Sequence, residues 1–236
     1  MVLIWNNLEL PDNPYYQDDA VIIYHADCRE ILPLIPDKSI DLVYADPPFN
    51  TQDGMGPQNR NYNDRKLSND RLSEIEYANW CADWLFEVKR ITENILITPG
   101  IKNMTLYNDY RWCVCISKPS APSYSVFGGF NCWEPVLCWG KPEKRLSRDM
   151  VVFDSQNLRR GIESKHPCPD NEAMVDWLID WYSSIDNLIL DPFLGSGTAC
   201  YCAKKLNRKC IGIEIEEKYC EIAANRCRQT VMELNV

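Results

Sequence analysis

The sequence predicts an α/β domain built on a doubly wound, mostly parallel sheet. Short apolar runs bounded by Gly, Pro or acidic residues recur along the chain, and segments with apolar residues near every 3.6 positions lie between them. One apolar run passes through the turn Gly195-Ser196-Gly197 into a helical pattern, which is typical of nucleotide-binding βαβ units. The 236 residues are enough for one such domain with a sizeable core. We therefore expect a single domain over residues 1–236.

The central predicted strand covers residues 40–45 and leads directly into the loop Asp46-Pro47-Pro48-Phe49. Its residues are nearly all apolar, as expected for a strand buried on both faces of a parallel sheet. The loop follows the carboxyl end of this strand, where ligands bind in open α/β sheets. The two prolines restrict its backbone. We therefore predict that Asp46, Pro47, Pro48 and Phe49 form the reaction centre.

The chemistry open to this loop follows from its groups. The Asp46 carboxylate and the Pro47 carbonyl accept hydrogen bonds, and Phe49 offers a flat face for a planar ring. The exocyclic amine of a nucleobase is a poor nucleophile because its lone pair is delocalised, and two fixed acceptors favour the tetrahedral geometry that attack requires. The alternative interpretation is a plain turn after a strand.

Composition excludes several classes of protein. No apolar stretch approaches 18 residues and no charged start precedes an apolar segment, so we expect a cytoplasmic protein without membrane association. The twelve cysteines fall mostly in apolar strand or helix patterns, which predicts reduced core residues. No Cys-x-x-Cys pair occurs and only two histidines are present, so we expect no metal site.

A basic segment interrupts an acidic chain. The net charge is −9 overall but +3 over residues 141–166. A local basic face of this kind is typical of phosphate contacts, although a solvated loop is the alternative. Its basic residues are Lys141, Lys144, Arg145, Arg148, Arg159, Arg160 and Lys165.

The remaining elements follow from the same patterns. Residues 1–19 are predicted to be irregular, and residues 51–73 form a polar, mobile surface loop of the kind that often covers a site. A first strand at 21–24 is followed by Asp27, which either contacts a ligand or caps a helix. Further strands are predicted at 94–98, 112–117, 134–139, 188–190 and 210–213. Helices are predicted at 31–35, 75–91, 174–182, 198–206 and 218–232, with the tryptophans of the second in the core.

The second informative loop runs from Asp191 to Thr198, and Glu214 ends the next strand. Glu214 stands where a ribose-binding acid lies in a βαβ nucleotide unit. The dinucleotide fingerprint needs a small residue at the position of Cys200, and Asp191 suits a cationic amino acid better than a pyrophosphate. This combination favours S-adenosylmethionine over NAD.

Together, the loops Asp46-Pro47-Pro48-Phe49 and Asp191-Pro192-Phe193-Leu194-Gly195-Ser196-Gly197-Thr198 resemble those of the amino-group DNA methyltransferases. The order resembles that of the permuted β group, in which the catalytic loop precedes the cofactor loop. Lys165-His166-Pro167 resembles the segment that opens the helix before the cofactor loop. The similarity spans about residues 20–230 and implies a Rossmann-like, seven-stranded methyltransferase fold.

The resemblance also implies roles for individual residues. Phe193, Gly195 and Gly197 would line the methionine end of S-adenosylmethionine, Glu214 would bind the ribose, and Asp27 would approach the adenine. The same cofactor site would include Asp191, Thr198, His166 and Pro167. The segment 130–139, with Glu134, resembles the part that holds the flipped base.

Two departures from the family pattern affect these expectations. Phe49 stands where the family usually has Tyr, so the stacking face is kept and a hydroxyl is lost. The target-recognition region, at about 143–164, is short. Base readout is therefore minimal, shared with the 51–73 loop, or completed by a second subunit. DNA contacts are expected from Arg145, Arg148, Arg159, Arg160 and Lys165.

We therefore expect a methyltransferase that uses S-adenosylmethionine to methylate N6 of a flipped adenine in double-stranded DNA. Methylation of cytosine N4 is the first alternative, because cytosine presents a similar amine. A non-catalytic regulator that keeps the fold, and an enzyme acting on RNA, are the others. A homodimer and a cognate restriction endonuclease are candidate partners, and an orphan or phage-type enzyme without a nuclease is equally compatible with the sequence.

Overall fold

A computed structural model describes residues 2–5, 8–50, 72–119, 123–124, 129–153 and 171–228. Its main feature is a nine-stranded sheet in the order β11-β7-β10-β6-β5-β12-β13-β4-β3. The strands of this sheet are β3 (Tyr16–Gln17), β4 (Val21–His25), β5 (Leu42–Ala45), β6 (Ile95–Ile97), β7 (Trp112–Ser117), β10 (Trp133–Trp139), β11 (Met150–Val152), β12 (Leu188–Asp191) and β13 (Lys209–Glu214). Two separate hairpins are formed by β1 (Val2–Trp5) with β2 (Leu8–Pro11) and by β8 (Ser123–Tyr124) with β9 (Phe130–Asn131).

The predicted doubly wound, mostly parallel sheet is confirmed. Strands β4, β13, β12, β5 and β6 are parallel neighbours, and β10 is antiparallel to both β6 and β7. The prediction of seven strands omits β3 and β11, which extend the two edges. These strands have two and three residues, too few to show a period-2 pattern.

The helices cover both faces of the sheet. One face packs against α1 (Cys28–Ile31) and α2 (Glu74–Ile91), and the other packs against α4 (Glu172–Tyr182), α5 (Thr198–Lys205) and α6 (Glu217–Arg228). Alternate residues of each central strand enter the two cores. In β5, for example, Val43 and Ala45 face α2, while Leu42 and Tyr44 face the other layer. This arrangement explains why the predicted strands are continuously apolar.

Local signals set the helix boundaries close to those predicted. Helix α2 begins at a capping box, in which Ser73 and Glu76 bond each other's backbone N–H, and it buries Trp80 and Trp84 as predicted. The four-residue helix α3 (Gly100–Asn103) was not predicted. The prediction that residues 1–19 are irregular was wrong, because they include β1, β2 and β3. Helix α6 was predicted to reach residue 232, and residues 229–236 lie outside the described part.

The topology brings five strand ends to one edge of the sheet. Strands β5 and β12 are adjacent and parallel although 143 residues separate Ala45 from Leu188 in the numbering, with register pairs Ile189–Leu42 and Leu190–Val43. The loops that follow them therefore lie side by side, at the position where helices change from one face to the other. Ligands bind at such a switch point in doubly wound folds. In the described ranges, no helix has the length and apolar character needed to cross a bilayer.

Candidate active site

The loop after β5 begins at a fixed strand end. Residues 42–45 are completely buried, which anchors the backbone immediately before Asp46. The Asp46 side chain is half-buried, and its Oδ1 accepts a hydrogen bond of 2.6 Å from the Thr98 hydroxyl. Thr98 directly follows β6, the parallel neighbour of β5. The predicted catalytic carboxylate therefore lies at the edge where ligands bind in doubly wound folds, and a buried hydroxyl donates to it.

Phe49 packs against the backbone of Gly100. A Cβ built on Gly100 would lie 3.5 Å from the Phe49 ring, and the φ of Gly100 is +69°, a conformation that disfavours residues with side chains. The positive φ of Gly100 thus shapes the turn after β6, and this turn lies beside the aromatic ring.

Two polar side chains hold the Asp46 loop by its backbone, and a third ties the end of the loop to Leu72. The Tyr77 hydroxyl donates to the Pro48 carbonyl at 2.6 Å, and the Asn103 amide donates to the Phe49 carbonyl at 2.9 Å. The Asn50 side chain bonds both the N–H and the carbonyl of Leu72, each at 2.9 Å. Asn103 lies in the unpredicted α3, and Tyr77 of α2 was not identified from the sequence. No local sequence signal identifies Asn103, because its burial follows from the packing of α3.

The glycine loop between β12 and α5 has two left-handed residues. Gly195 has a φ of +52° and Gly197 a φ of +81°. A Cβ at Gly197 would lie only 2.7 Å from the Cβ of Ala223 in α6, so only glycine fits there. Asp191 is buried, and its Oδ1 accepts a 2.9 Å hydrogen bond from the Phe193 N–H. The tight turn at Gly195-Ser196-Gly197 is thus observed, and its part in cofactor binding remains a prediction.

Glu214 connects this glycine loop with β13. Its two carboxylate oxygens accept hydrogen bonds from the N–H groups of Gly195 and Glu216, both at 2.8 Å. Burial raises the pKa of Glu214 above its ordinary value, against the lowering effect of these N–H donors. Each carboxylate oxygen has a second lone pair, so Glu214 can still accept hydrogen bonds from a diol.

The interpretation of Asp27 as a helix cap is confirmed. This residue is the N-cap of α1 and accepts from the Arg29 N–H at 2.9 Å, and Arg29 also pairs with its carboxylate at 2.8 Å. Burial acts to raise the pKa of Asp27, but the Arg29 hydrogen bonds outweigh it and the pKa lies below its ordinary value. The cap does not exclude a ligand contact, because β4 ends at the same edge as β13.

Aromatic contacts join the two loops through α2. The ring centroids of Phe193 and Trp84 are 5.0 Å apart, and those of Phe193 and Trp80 are 5.4 Å apart. Trp80 stacks in turn on Tyr77, which bonds the catalytic loop. One helix therefore supports the Asp46 loop and the glycine loop together.

Thr198 is turned towards α6. Its hydroxyl accepts a 2.8 Å hydrogen bond from Arg226, and the residue is 2% exposed. A part in cofactor binding remains a prediction for Thr198. On the other side of the sheet edge, Glu134 of β10 forms an ion pair with Lys118, a residue that sequence analysis did not identify.

The described part of the predicted DNA-binding segment lies away from the Asp46 loop. Lys144 bonds the backbone of Trp181 at the end of α4, and Lys141 bonds Asn94, which precedes β6. The segment 141–148, with Arg145 and Arg148, therefore lies at the end of the sheet opposite Asp46. Strand β11 then runs parallel to β7 back towards the catalytic edge. The predicted residues Arg159, Arg160, Lys165, His166 and Pro167 lie outside the described ranges, as does most of the 51–73 loop.

The edge as a whole fits a ligand with a cationic amino acid group and a ribose. Asp191, Glu214 and Asp27 place three carboxylates at the ends of three adjacent strands. A carboxylate attracts an ammonium group and accepts hydrogen bonds from hydroxyls. The Asp46 loop lies next to the glycine loop, because β5 and β12 are adjacent and parallel. A ligand in the first loop would thus face a second molecule in the other.

Comparison with known proteins gives consistent matches. A family described as DNA methylase, named for N6 and N4 methyltransferases, matches residues 112–225. The type II methyltransferase M.HinfI of Haemophilus influenzae is 28% identical over 88% of this chain and 68% of its own length. The type II methyltransferase M2.DpnII of Streptococcus pneumoniae is 25% identical over 92% of this chain and 93% of its own.

Solved structures share the fold. The PvuII DNA methyltransferase, described as cytosine-N4-specific, superposes with a TM-score of 0.70 at 18% identity, covering 96% of this chain and 92% of its own. A complex of M1.HpyAVI with S-adenosylmethionine gives a TM-score of 0.61 at 21% identity, covering 89% of this chain and 100% of its own. The fold of this chain is therefore that of these methyltransferases.

Proposed function

Because this chain belongs to the amino-group DNA methyltransferases, we propose that it uses S-adenosylmethionine to methylate N6 of adenine in double-stranded DNA. The observation that carries the proposal is the position of Asp46. Its carboxylate, oriented by Thr98, lies at the end of β5 beside the glycine loop of β12. An acceptor of hydrogen bonds from an amine is thus adjacent to a site suited to the methyl donor.

The catalytic loop binds and orients the target base. A duplex buries the adenine amine, so the nucleotide must leave the stack, at a cost of a few kcal/mol. Phe49, which lies beside Gly100, stacks on the flipped base. Asp46 and the Pro47 carbonyl accept hydrogen bonds from the amine and direct its lone pair towards the methyl donor. Positioning of the two reactants accounts for most of the rate enhancement.

The glycine loop and the neighbouring strand ends hold the cofactor, which supplies an electrophilic methyl group. Asp191 would pair with the ammonium of the methionine part, and Glu214, at the end of β13, would accept from the ribose hydroxyls. Phe193, Gly195 and Gly197 line the same part of the site. By family resemblance, Asp27 contacts the adenine, and Thr198, His166 and Pro167 complete the pocket.

Cytosine N4 is the second candidate target. The PvuII methyltransferase, which has the higher TM-score of the two structures compared above, is described as specific for this position. Cytosine presents its amine to the same two acceptors. Asp as the first residue of the catalytic loop favours adenine by family resemblance.

DNA recognition completes the proposal. The chain is one catalytic domain, and base readout comes from the region 143–164 together with the 51–73 loop or from a second subunit. The curated relatives are type II methyltransferases, so a restriction–modification setting follows for this chain. A cognate endonuclease is one partner in that setting, and an orphan enzyme is the other possibility.

The test is transfer of labelled methyl groups into duplex DNA, followed by digestion to nucleosides and mass spectrometry. We expect N6-methyladenine, and its loss in Asp46→Ala, with the affinity for S-adenosylmethionine changed by less than about tenfold (1.4 kcal/mol). N4-methylcytosine would select the second target. Label in RNA but not in DNA would change the substrate class. Cofactor binding without transfer to any nucleic acid would identify a regulator.

A further inference from the structure

We propose that Thr98 is a positioning residue, whose hydroxyl fixes the rotation of the Asp46 carboxylate for methyl transfer. The inference rests on the proposed function and deepens it. Thr98 is completely buried, and its Oγ1 lies 2.6 Å from Asp46 Oδ1. Nothing in the pattern of the sequence singled it out, because it ends an apolar strand like any other residue.

The hydroxyl proton is directed to Asp46. Thr98 Oγ1 also lies 3.3 Å from the Ala45 carbonyl, but a hydroxyl donates one proton. The shorter contact, to a carboxylate, is the stronger one. The Ala45 carbonyl already accepts from the Thr98 N–H at 3.0 Å. The backbone of Thr98 is thus tied to the residue before Asp46, and its side chain to Asp46 itself.

The contact follows from the sheet register. Ala45 of β5 pairs with Ile97 of β6 in a parallel ladder, so the next residues along each strand, Asp46 and Thr98, leave the sheet together. Both strands are completely buried and cannot shift independently. The position of the hydroxyl relative to the carboxylate is therefore fixed by the core, before any ligand binds.

Such a contact matters because the carboxylate of an aspartate can rotate about its terminal torsion. The terminal torsion of Asp is broad, so the direction of its oxygens is weakly defined without a partner. An amine that must be held between two acceptors requires a defined direction for both. The Pro47 carbonyl belongs to the restricted backbone. Thr98 gives the carboxylate a comparable restriction.

The experiment compares Thr98→Val, Thr98→Ser and a control, Thr92→Val. Valine keeps the shape of threonine and removes the hydroxyl, whereas serine keeps the hydroxyl. Thr92 is also buried, and its hydroxyl bonds the backbone of Asn94, at the far end of β6. The measurements are kcat and KM for DNA methylation, calorimetric Kd for S-adenosylmethionine, and Tm.

We expect Thr98→Val to lower kcat by about 10- to 100-fold, as a small displacement of a catalytic group does. The Kd for S-adenosylmethionine should stay within about twofold, because the glycine loop is unchanged. Thr98→Ser should recover kcat to within about threefold of the wild type. Thr92→Val should lower Tm without lowering kcat.

The outcomes separate the inference from the proposed function. If the wild type methylates DNA and Thr98→Val keeps its kcat, the positioning role is overturned and the function stands. A serine variant as impaired as the valine variant also overturns the role, since packing rather than the hydroxyl would then matter. If Thr98→Val loses cofactor affinity and Tm together with kcat, the positioning role is also overturned. If the wild type transfers no methyl group, the proposed function fails, and the role of Thr98 fails with it.

Discussion

At the scale of single residues, the catalytic loop is held by its carbonyl groups. Tyr77 and Asn103 bond the carbonyls of Pro48 and Phe49, and Asn50 bonds Leu72. Each partner comes from a different part of the chain. A loop held in this way keeps its shape without a ligand, which reduces the ordering that substrate binding would otherwise require.

The Phe49 ring gives a direct test of stacking. Phe49→Tyr should retain activity, because the aromatic face is kept. Phe49→Ala should lower kcat/KM by roughly five- to 150-fold, since stacking of a base on an aromatic contributes about 1–3 kcal/mol. Phe86→Ala is the matched control, because Phe86 is 71% exposed on α2. Steady-state methylation assays measure all three. Normal turnover by Phe49→Ala would place the flipped base elsewhere.

The proposed role of Glu214 in ribose binding predicts that cofactor affinity depends on pH. Burial raises its pKa above the ordinary 4.5, so the carboxylate is protonated at a higher pH than an exposed glutamate. Affinity for S-adenosylmethionine should therefore fall as the pH decreases through this raised pKa, because the charged acceptor for the ribose is lost. Calorimetry with S-adenosylmethionine across the pH range measures this change in affinity.

Glu214→Gln separates this effect from other titrations. The variant should bind S-adenosylmethionine more weakly at neutral pH and lose the dependence in the same pH interval. Asp27 does not substitute for Glu214 in this interval, because its pKa lies below the ordinary value. If the pH profile of the variant matched that of the wild type, the titrating group would be another residue.

The catalytic acid could be predicted from sequence, whereas its partners could not. Asp46 follows an apolar run and two prolines, which is a local signal. Thr98 and Asn103 reach the loop from elements 52 or more positions away in sequence. Contacts of this kind depend on strand register, which a single sequence does not encode locally.

At the scale of elements, the turn between β3 and β4 is fixed by Asp18. One carboxylate oxygen accepts from the N–H groups of Ala20 and Val21, and the other accepts from Tyr16 and from Lys204 of α5, at 2.6–2.8 Å. The edge strand and a helix of the cofactor half are thereby joined. Sequence analysis treated this region as part of an irregular arm, because two-residue strands carry no pattern.

Asp18→Asn should destabilise the protein by about 1–3 kcal/mol near neutral pH, because a charged hydrogen-bonding group is lost. Burial acts to raise the Asp18 pKa, but Lys204, Tyr16 and the two N–H groups together bring it below the ordinary 3.8. A lowered folded pKa contributes stability above the unfolded pKa, and this contribution is lost as the pH falls through the folded pKa. The free energy of unfolding, measured in urea at several pH values, shows this contribution of Asp18 to stability.

The control for this prediction is Asp19→Asn, since Asp19 is adjacent and exposed. It should change stability by less than about 0.5 kcal/mol at every pH. The difference between wild type and Asp18→Asn should shrink in acid. A difference that persisted at low pH would mean that geometry, not charge, is responsible.

At the scale of the whole molecule, β11 divides the basic segment in sequence, with residues 141–148 before it and Arg159 and Arg160 after it. Residues 141–148 lie at one end of the sheet, and the chain returns along β11 towards the catalytic end before reaching Arg159 and Arg160. The basic segment was predicted as one DNA-binding surface because charge is visible in sequence. The antiparallel strand β10, which sends the segment to the far end, determines its position.

Two double variants test this separation at equal change in net charge. Arg159→Ala with Arg160→Ala should weaken DNA binding and flatten the log–log salt dependence by up to about 1.8, or about 0.9 for each phosphate contact. Arg145→Ala with Arg148→Ala should have little effect. Fluorescence anisotropy at several salt concentrations measures both. Equal effects of the two pairs would show that the general field of the protein, not local contact, governs binding.

The adjacency of β5 and β12 has a consequence for synthesis of the chain on the ribosome. Strand β5 emerges early, but one of its two hydrogen-bonding neighbours, β12, starts at Leu188. Until β12 has been synthesised, one edge of β5 has no partner strand. This strand is completely buried in the folded protein, but its open edge can pair with other chains before then. Domains fold largely as units during synthesis. A nascent chain therefore carries its catalytic loop long before it can bind the methyl donor, and methylation begins only in molecules whose last parallel strands are in place.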